Sequence, residues 1–162
     1  MESGNQLSVL ELLVRHDVPC VVIGGYAVTF HGYVRATEDV DLVFLRSAEN
    51  EDRLFEALRT INACWISDEI DPQTSIEKLV PITIGYVRAS RLMMLLTDAG
   101  FVDIFDYVPG CPDVNPIELW QTSISHELGI RFASLTNLRK MKIAAGRLKD
   151  RLDLEMLPRQ ED

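Results

Sequence analysis

Apolar and polar positions alternate along this chain with two different periods, and the switches between them mark out the elements. Residues 6–16 place Leu7, Leu10 and Val14 at helical spacing, which predicts an amphipathic first helix. The short apolar run from Cys20 to Ile23 reads as a buried strand, and Gly24-Gly25 breaks it before a short helical turn. After the polar approach Arg35-Ala-Thr-Glu, a second strand opens Asp39-Val-Asp41 and continues to Phe44. Asn50 is placed to cap a second helix with Leu54, Phe55, Leu58 and Ile61 on one face.

Residues 64–80 keep no clear period; Trp65 closes a short strand and Asp71-Pro72 marks a loop. Three β-rich runs follow, Pro81–Val87, Arg91–Thr97 and Phe101–Val108. Short turns at Arg88-Ala-Ser and Asp98-Ala-Gly100 join them, which predicts an antiparallel meander. Beyond Asn115-Pro116 come a short helical turn and a hairpin, Thr122–His126 with Ile130–Ala133, turning through Gly129. Ser134 caps a helix carrying Leu135, Leu138, Met141 and Ala145. Gly146 breaks it, and a last helix runs to about Leu157 and stops at Pro158. No repeat, low-complexity segment or linker interrupts the pattern. One domain, 1–162, of α/β (α+β) class is expected.

Composition narrows the class. Apolar residues at 47% with 25% charged suit a globular chain with its own core. No run approaches the roughly 18 apolar residues of a membrane span, and MESGNQLSVLELL lacks the basic start of a secretory signal. Cys20, Cys64 and Cys111 are odd in number and lack zinc-type pairing, so they read as reduced thiols of a cytoplasmic protein. The net charge of −9 argues against broad nucleic-acid coating. Its distribution is uneven, because six of the sixteen basic residues fall between Arg139 and Arg151, with Asp150 the one acid among them. Such a patch on an acidic body suits a compact polyanion, for example a nucleoside triphosphate.

Three carboxylates carry the candidate chemistry. Side chains alternate across a strand, so Asp39 and Asp41 share a face opposite Val40, Leu42 and Phe44. Neighbouring carboxylates repel and raise each other's pKa unless a cation offsets them. Mg²⁺, held by one or two carboxylates plus substrate phosphates, is the usual resolution. The Gly24-Gly25 break serves the same end, since a backbone without Cβ atoms can approach a ligand closely and its N–H groups suit phosphate. Asp103 lies within the apolar strand Phe101-Val-Asp-Ile-Phe105, where an unpaired charge is costly. A metal ion or a salt bridge to an arginine such as Arg35 would keep it there. Asp98 reads as a turn residue and Asp106 projects to the opposite face. His16, His31 and His126 have no metal-ligand spacing, and His31 reads as structural or substrate-adjacent. Neither GxGxxG nor a P-loop is present.

The string GGxA…HGxxRxTxDxDL is carried by Gly24, Gly25, Ala27, His31, Gly32, Arg35, Thr37, Asp39, Asp41 and Leu42. It resembles the nucleotidyltransferase superfamily, and within it the branch of AbiEii toxins and minimal nucleotidyltransferases. The later string KxxAGRxKDxxD, in Lys142, Ala145, Gly146, Arg147, Lys149, Asp150 and Asp153, resembles the same branch, whereas 45–100 match only in general pattern.

The resemblance implies a mixed, mostly antiparallel sheet with flanking helices. The implied reaction passes a nucleoside monophosphate from a triphosphate to a hydroxyl acceptor, with pyrophosphate released. Asp39, Asp41 and Asp103 would be catalytic and hold two Mg²⁺ ions. Gly24, Gly25, Arg35, Thr37, Lys142, Arg147 and Lys149 would bind the nucleotide, with Lys142 on its phosphates and Asp150 capping or pairing at the last helix. The acceptor is left open among a tRNA end, a protein hydroxyl and a small antibiotic; an antitoxin partner is implied and a membrane is not. Two other readings stand beside this one: a non-catalytic nucleotide-binding or antitoxin-like protein that retains the fold, and a purely structural interaction module.

Overall fold

A computed structural model describes residues 3–159, with side chains from Ser8 onward; Leu7, expected on the first apolar face, lies outside the described side chains. The helices are α1 (Ser3–Arg15), α2 (Gly24–Phe30), α3 (Ala48–Thr60), α4 (Ile84–Ala89), α5 (Pro116–Gln121), α6 (Leu135–Ala145) and α7 (Leu148–Met156). The strands are β1 (Cys20–Ile23), β2 (Asp39–Phe44), β3 (Cys64–Ile70), β4 (Glu77–Pro81), β5 (Leu92–Thr97), β6 (Gly100–Phe105), β7 (Ile124–Ser125) and β8 (Arg131–Phe132).

All eight strands join one sheet in the order β4-β3-β5-β6-β2-β1-β8-β7. The pairs β2–β6 and β1–β8 are parallel and the others antiparallel, so the sheet is mixed and mostly antiparallel, as expected. Because side chains alternate, each face builds its own core. One face packs Val22, Val40, Leu42, Val102 and Ile104 against Leu10 and Leu13 of α1 and Leu54 and Leu58 of α3. The other packs Val21, Ile23 and Val43 under Leu119 of α5 and Met141 of α6. This second core covers only the β1–β2 side of the sheet, and the candidate carboxylates lie at its margin.

Several local expectations are corrected. Pro81–Val87 is not a strand of a meander. The strand stops at Pro81, Thr83 Oγ accepts from the Tyr86 amide, and α4 begins, burying Val87. The β-branched residues of this stretch suggested a strand, but a capping hydroxyl and one core-facing valine decided for a helix. Its hairpin partner is β3, in the segment that carried no readable period. There Asp71 Oδ1 accepts from the Gln73 amide and Ser75 takes a positive φ to close the turn. The cap of α3 is Ser47, which accepts from the Asn50 amide, while the Asn50 side chain donates to the Leu45 carbonyl. The Ser134 cap and the Gly129 hairpin are as expected, and Asn115 caps α5 by accepting from the Glu118 amide.

Candidate active site

The β2–β6 register sets Asp41 directly beside Asp103, and the β1–β2 register sets Ile23 beside Asp41. One strand-end therefore carries both carboxylates next to the Gly24 backbone, with Asp39 exposed two residues earlier. Gly24 has φ +68°, and a Cβ there would run into the Asp41 carboxylate, 3.1 Å from its Cγ. A Cβ on Gly25 would lie 2.9 Å from Thr37 Cβ and 3.2 Å from Arg35 Nη1. The two glycines thus do different work: Gly24 lets the backbone meet the carboxylates, and Gly25 seats the 35–37 approach behind it.

Opposite the carboxylates stands a buried ion network built by α6 and α7. Asp150 and Asp153 are wholly buried on α7. Lys142, only 5% exposed, reaches between them with Nζ 3.1 Å from Asp150 Oδ1 and 3.0 Å from Asp153 Oδ2. Arg35 closes one end with a fork onto Asp153, Nε and Nη2 donating at 2.7 and 2.8 Å. Arg147 closes the other end: its Nε and its backbone amide donate to Asp150 at 2.7 and 3.2 Å, which caps α7. Gly146, in the left-handed region at φ +62°, makes the break that lets α6 and α7 face each other.

Burial and charge set the protonation. Asp41 is pushed up to about 7, first by burial and then by the Asp103 and Asp39 charges, with Lys142 only partly opposing them. Burial and Asp39 raise Asp103 as well, while a hydrogen bond shared with Asp41 holds it down, so the pair's proton sits on Asp41. Burial also pushes Asp150 and Asp153 upward, but the cations outweigh it and both end below the ordinary carboxylate value. Arg147 and Lys142 act on Asp150, and Arg35 and Lys142 act on Asp153.

Gly24, Asp39, Asp41, Asp103, Lys142, Arg147 and Lys149 together line one cleft of about 350 Å³. Gly25, Arg35 and Thr37 are not on its wall. Arg35 serves Asp153, not Asp103, and the Lys142 ammonium, expected on phosphates, is engaged by two carboxylates. His31 has a structural role, its Nε2 2.8 Å from the Ala133 carbonyl. Asp106 points away and binds Arg46. The sequence string includes Asp153 without assigning it a role; its three-residue spacing from Asp150 on one helix face is the available signal. The close approach of the Pro109-Gly110 turn to α6 left none, although a Cβ on Gly110 would lie 2.7 Å from Ala144 Cβ.

The donor set suits a hard divalent cation: oxygen atoms only, negative beyond what adjacent cations neutralise, and protonated where no cation offsets it. Among the described residues no three Asp, Glu, His or Cys side chains form a ready-made metal centre. Among the same residues no helix is long and apolar enough to cross a membrane.

No protein-family model matches the sequence, and no curated protein matches it. Among solved structures the chain is similar to the antibiotic-resistance factor ANT(2'')-Ia, at 14% identity and TM-score 0.60 over 96% of this chain and 83% of that one. It is also similar to JHP933 from Helicobacter pylori, at 17% identity and TM-score 0.50. That match covers 94% of this chain and 62% of the longer one. These likenesses show the fold alone, a mixed, mostly antiparallel sheet with flanking helices.

Proposed function

We propose that the protein is a Mg²⁺-dependent nucleotidyltransferase that moves a nucleoside monophosphate from a triphosphate to a hydroxyl acceptor. The observation that carries the reading is the register that sets Asp41 beside Asp103, with Asp39 at the mouth and Lys149 and Arg147 across the same cleft. Asp39 and Asp41 would hold one Mg²⁺, and Asp41 with Asp103 a second. Bound there, the ions would supply positive charge to the phosphates and lower the pKa of the acceptor hydroxyl.

The protein's own groups do the rest. Lys149, exposed on the cleft wall and without an ion-pair partner among the described residues, meets the phosphates directly, and Arg147 supports it from the cap of α7. Lys142 acts from behind: with Arg35 it holds Asp150 and Asp153 ionised and so fixes α7 against α6. The Gly24 backbone brings the triphosphate close to Asp41. Asp103, on the open side of the pair, accepts the acceptor proton.

The two motif strings support placement in the AbiEii-like branch, with an antitoxin as partner. Cys20, Cys64 and Cys111, all free thiols, fit a cytoplasmic setting. The test is pyrophosphate release from each nucleoside triphosphate with Mg²⁺ and candidate acceptors. Release that requires Asp41 supports the reading, and no release under any pairing overturns it.

A further inference from the structure

The second core leaves half of the active-site face of the sheet bare. Direct cross-strand partners share a face, so Met94 stands beside Asp103, Leu92 beside Phe105, and Leu96 beside Phe101 and Cys64. One strand further out, Ile66 stands beside Leu79. Met94 is 59% exposed and Leu79 50%, and Ile66, Leu92 and Phe101 are also exposed. Their in-chain neighbours Trp65, Met93, Leu95 and Val102 turn to the other face and pack in its core. A continuous apolar surface therefore runs from the carboxylates to the outer edge of the sheet, which is not how a sheet face left to water is composed.

The charges on this surface are of one sign. None of the outward positions paired across β3, β4, β5 and β6 carries a lysine or arginine. The acids are Asp39 and Asp103 at the inner end and Glu77, beside Ile70, at the outer end. Arg91, which precedes β5, is committed to Asp106 at 3.3 Å and to the Tyr107 ring. Outside the cleft lined by Arg147 and Lys149, a polyanionic acceptor would meet no lysine or arginine among these outward positions. The breadth matters too: four strand spacings of about 4.8 Å separate β2 from β4, roughly 19 Å. A single small molecule covers little of that, whereas a polypeptide segment spans it.

We propose that this bare sheet face is the acceptor platform, and that the acceptor is a polypeptide segment with apolar and basic side chains presenting a serine, threonine or tyrosine hydroxyl beside Asp103. The proposal rests on the transferase reading and adds the substrate class to it. The hydroxyl oxygen attacks the α-phosphorus and forms the new ester bond. The bond from that phosphorus to the bridging oxygen breaks, pyrophosphate leaves with the electron pair, and the hydroxyl proton passes to Asp103. The apolar side chains anchor the segment across β6, β5 and β3, and its basic residues face Glu77 at the outer end.

Methyl-labelled methionine gives a reporter in the middle of the platform, because Met94 is exposed while its neighbour Met93 is buried. The probe is a synthetic amphipathic peptide of leucine and lysine with one tyrosine. Its counterpart with glutamate for lysine and a bulk tRNA pool are the controls. The expected result is a saturable shift of the Met94 methyl signal with the lysine peptide alone. Replacing Ile66→Ser and Leu79→Ser together, far from the carboxylates, should weaken that binding by at least ~10-fold, while Mg²⁺-dependent triphosphate binding stays as in the unmutated protein. The proposal is overturned if the glutamate peptide or tRNA shifts Met94 equally, or if no probe shifts it. A Met94 signal that changes with protein concentration alone would also overturn it, by making the face a contact between two copies. Failure of the triphosphate to bind with Mg²⁺ would instead sink the transferase reading and leave the peptide-binding result standing.

Discussion

Lys142 and Asp150 face each other across the break between α6 and α7, with Nζ 3.1 Å from Oδ1 and both side chains shut away from water. Asp153 shares the same ammonium at 3.0 Å. Removing the lysine would leave two buried carboxylates with one arginine each. Breaking a buried pair in this way costs about 3–5 kcal/mol. Lys142→Ala should therefore lower the melting temperature by roughly 6 °C or more, at about 2–4 °C per kcal/mol. A variant that melts like the unmutated protein would return Lys142 to direct phosphate binding. Activity lost together with stability would not distinguish the two roles.

Lys149 is the cleaner probe of phosphate contact, because it is exposed on the cleft wall and holds up no buried partner. Lys149→Ala should weaken Mg²⁺–triphosphate binding by about tenfold, the value of one charge-assisted hydrogen bond, with thermal melting unchanged. Titration calorimetry on the two proteins would check it. Equal affinities would move the contact to Arg147.

How much of this was legible in the sequence depended on whether the cause was local. The Asp39–Asp41 alternation and the apolar setting of Asp103 are properties of single strands, and the structure sets Asp41 beside Asp103 and lines one cleft with Asp39, Asp41, Asp103 and Gly24. Arg35 is different: its partner Asp153 lies 118 residues away, and nothing near Arg35 distinguishes a nucleotide ligand from a clamp on a distant helix. Lys142 misled for a related reason, since a basic run looks solvated until the fold turns two aspartates of the next helix inward. The β3–β4 hairpin had no readable period because both strands lie at the rim of the sheet, where exposure on either side removes the alternation.

The raised pKa of Asp41 makes a pH prediction with a definite sign. The folded protein keeps a proton up to about pH 7 that the unfolded chain releases near the ordinary value of 3.8. For this group stability is full below about pH 4 and is lost as the pH rises through 7. Metal-free protein should melt several degrees lower at pH 8 than at pH 5. Added Mg²⁺ should remove most of that fall, and Asp41→Asn should flatten the profile. Asp150 and Asp153, with lowered pKa values, act in a separate window and withdraw stability only as the pH falls through the acid range below about 4. A metal-free profile that rises steadily from pH 5 to 8 would contradict the carboxylate arrangement.

Gly24 offers a test of backbone approach. At φ +68°, with Asp41 filling the space where a Cβ would go, alanine is penalised both by conformation and by contact. Gly24→Ala should cost about 1–3 kcal/mol of stability and also weaken Mg²⁺ binding, because Asp41 must move aside. Tolerance of alanine without loss of either would mean that the strand-end and the carboxylate are less closely apposed.

The Asp39→Asn/Asp41→Asn double variant decides between an enzyme and a protein that only keeps the fold. Its melting temperature at neutral pH should equal or exceed that of the metal-free unmutated protein, because mutually repelling charges beside Asp103 are removed while Val40 and Leu42 continue to pack the core. Mg²⁺-dependent triphosphate binding should disappear, but a binding-only relative would lose it too, so binding does not separate the cases. Pyrophosphate release does. The unmutated protein with its acceptor should release pyrophosphate at least ~10²-fold faster than the double variant, the scale on which preorganised charge acts on a transition state. If the two rates coincide for every triphosphate and acceptor tried, while the double variant is still folded by its melting curve, then Asp39 and Asp41 perform no transfer and the cleft is a binding site alone.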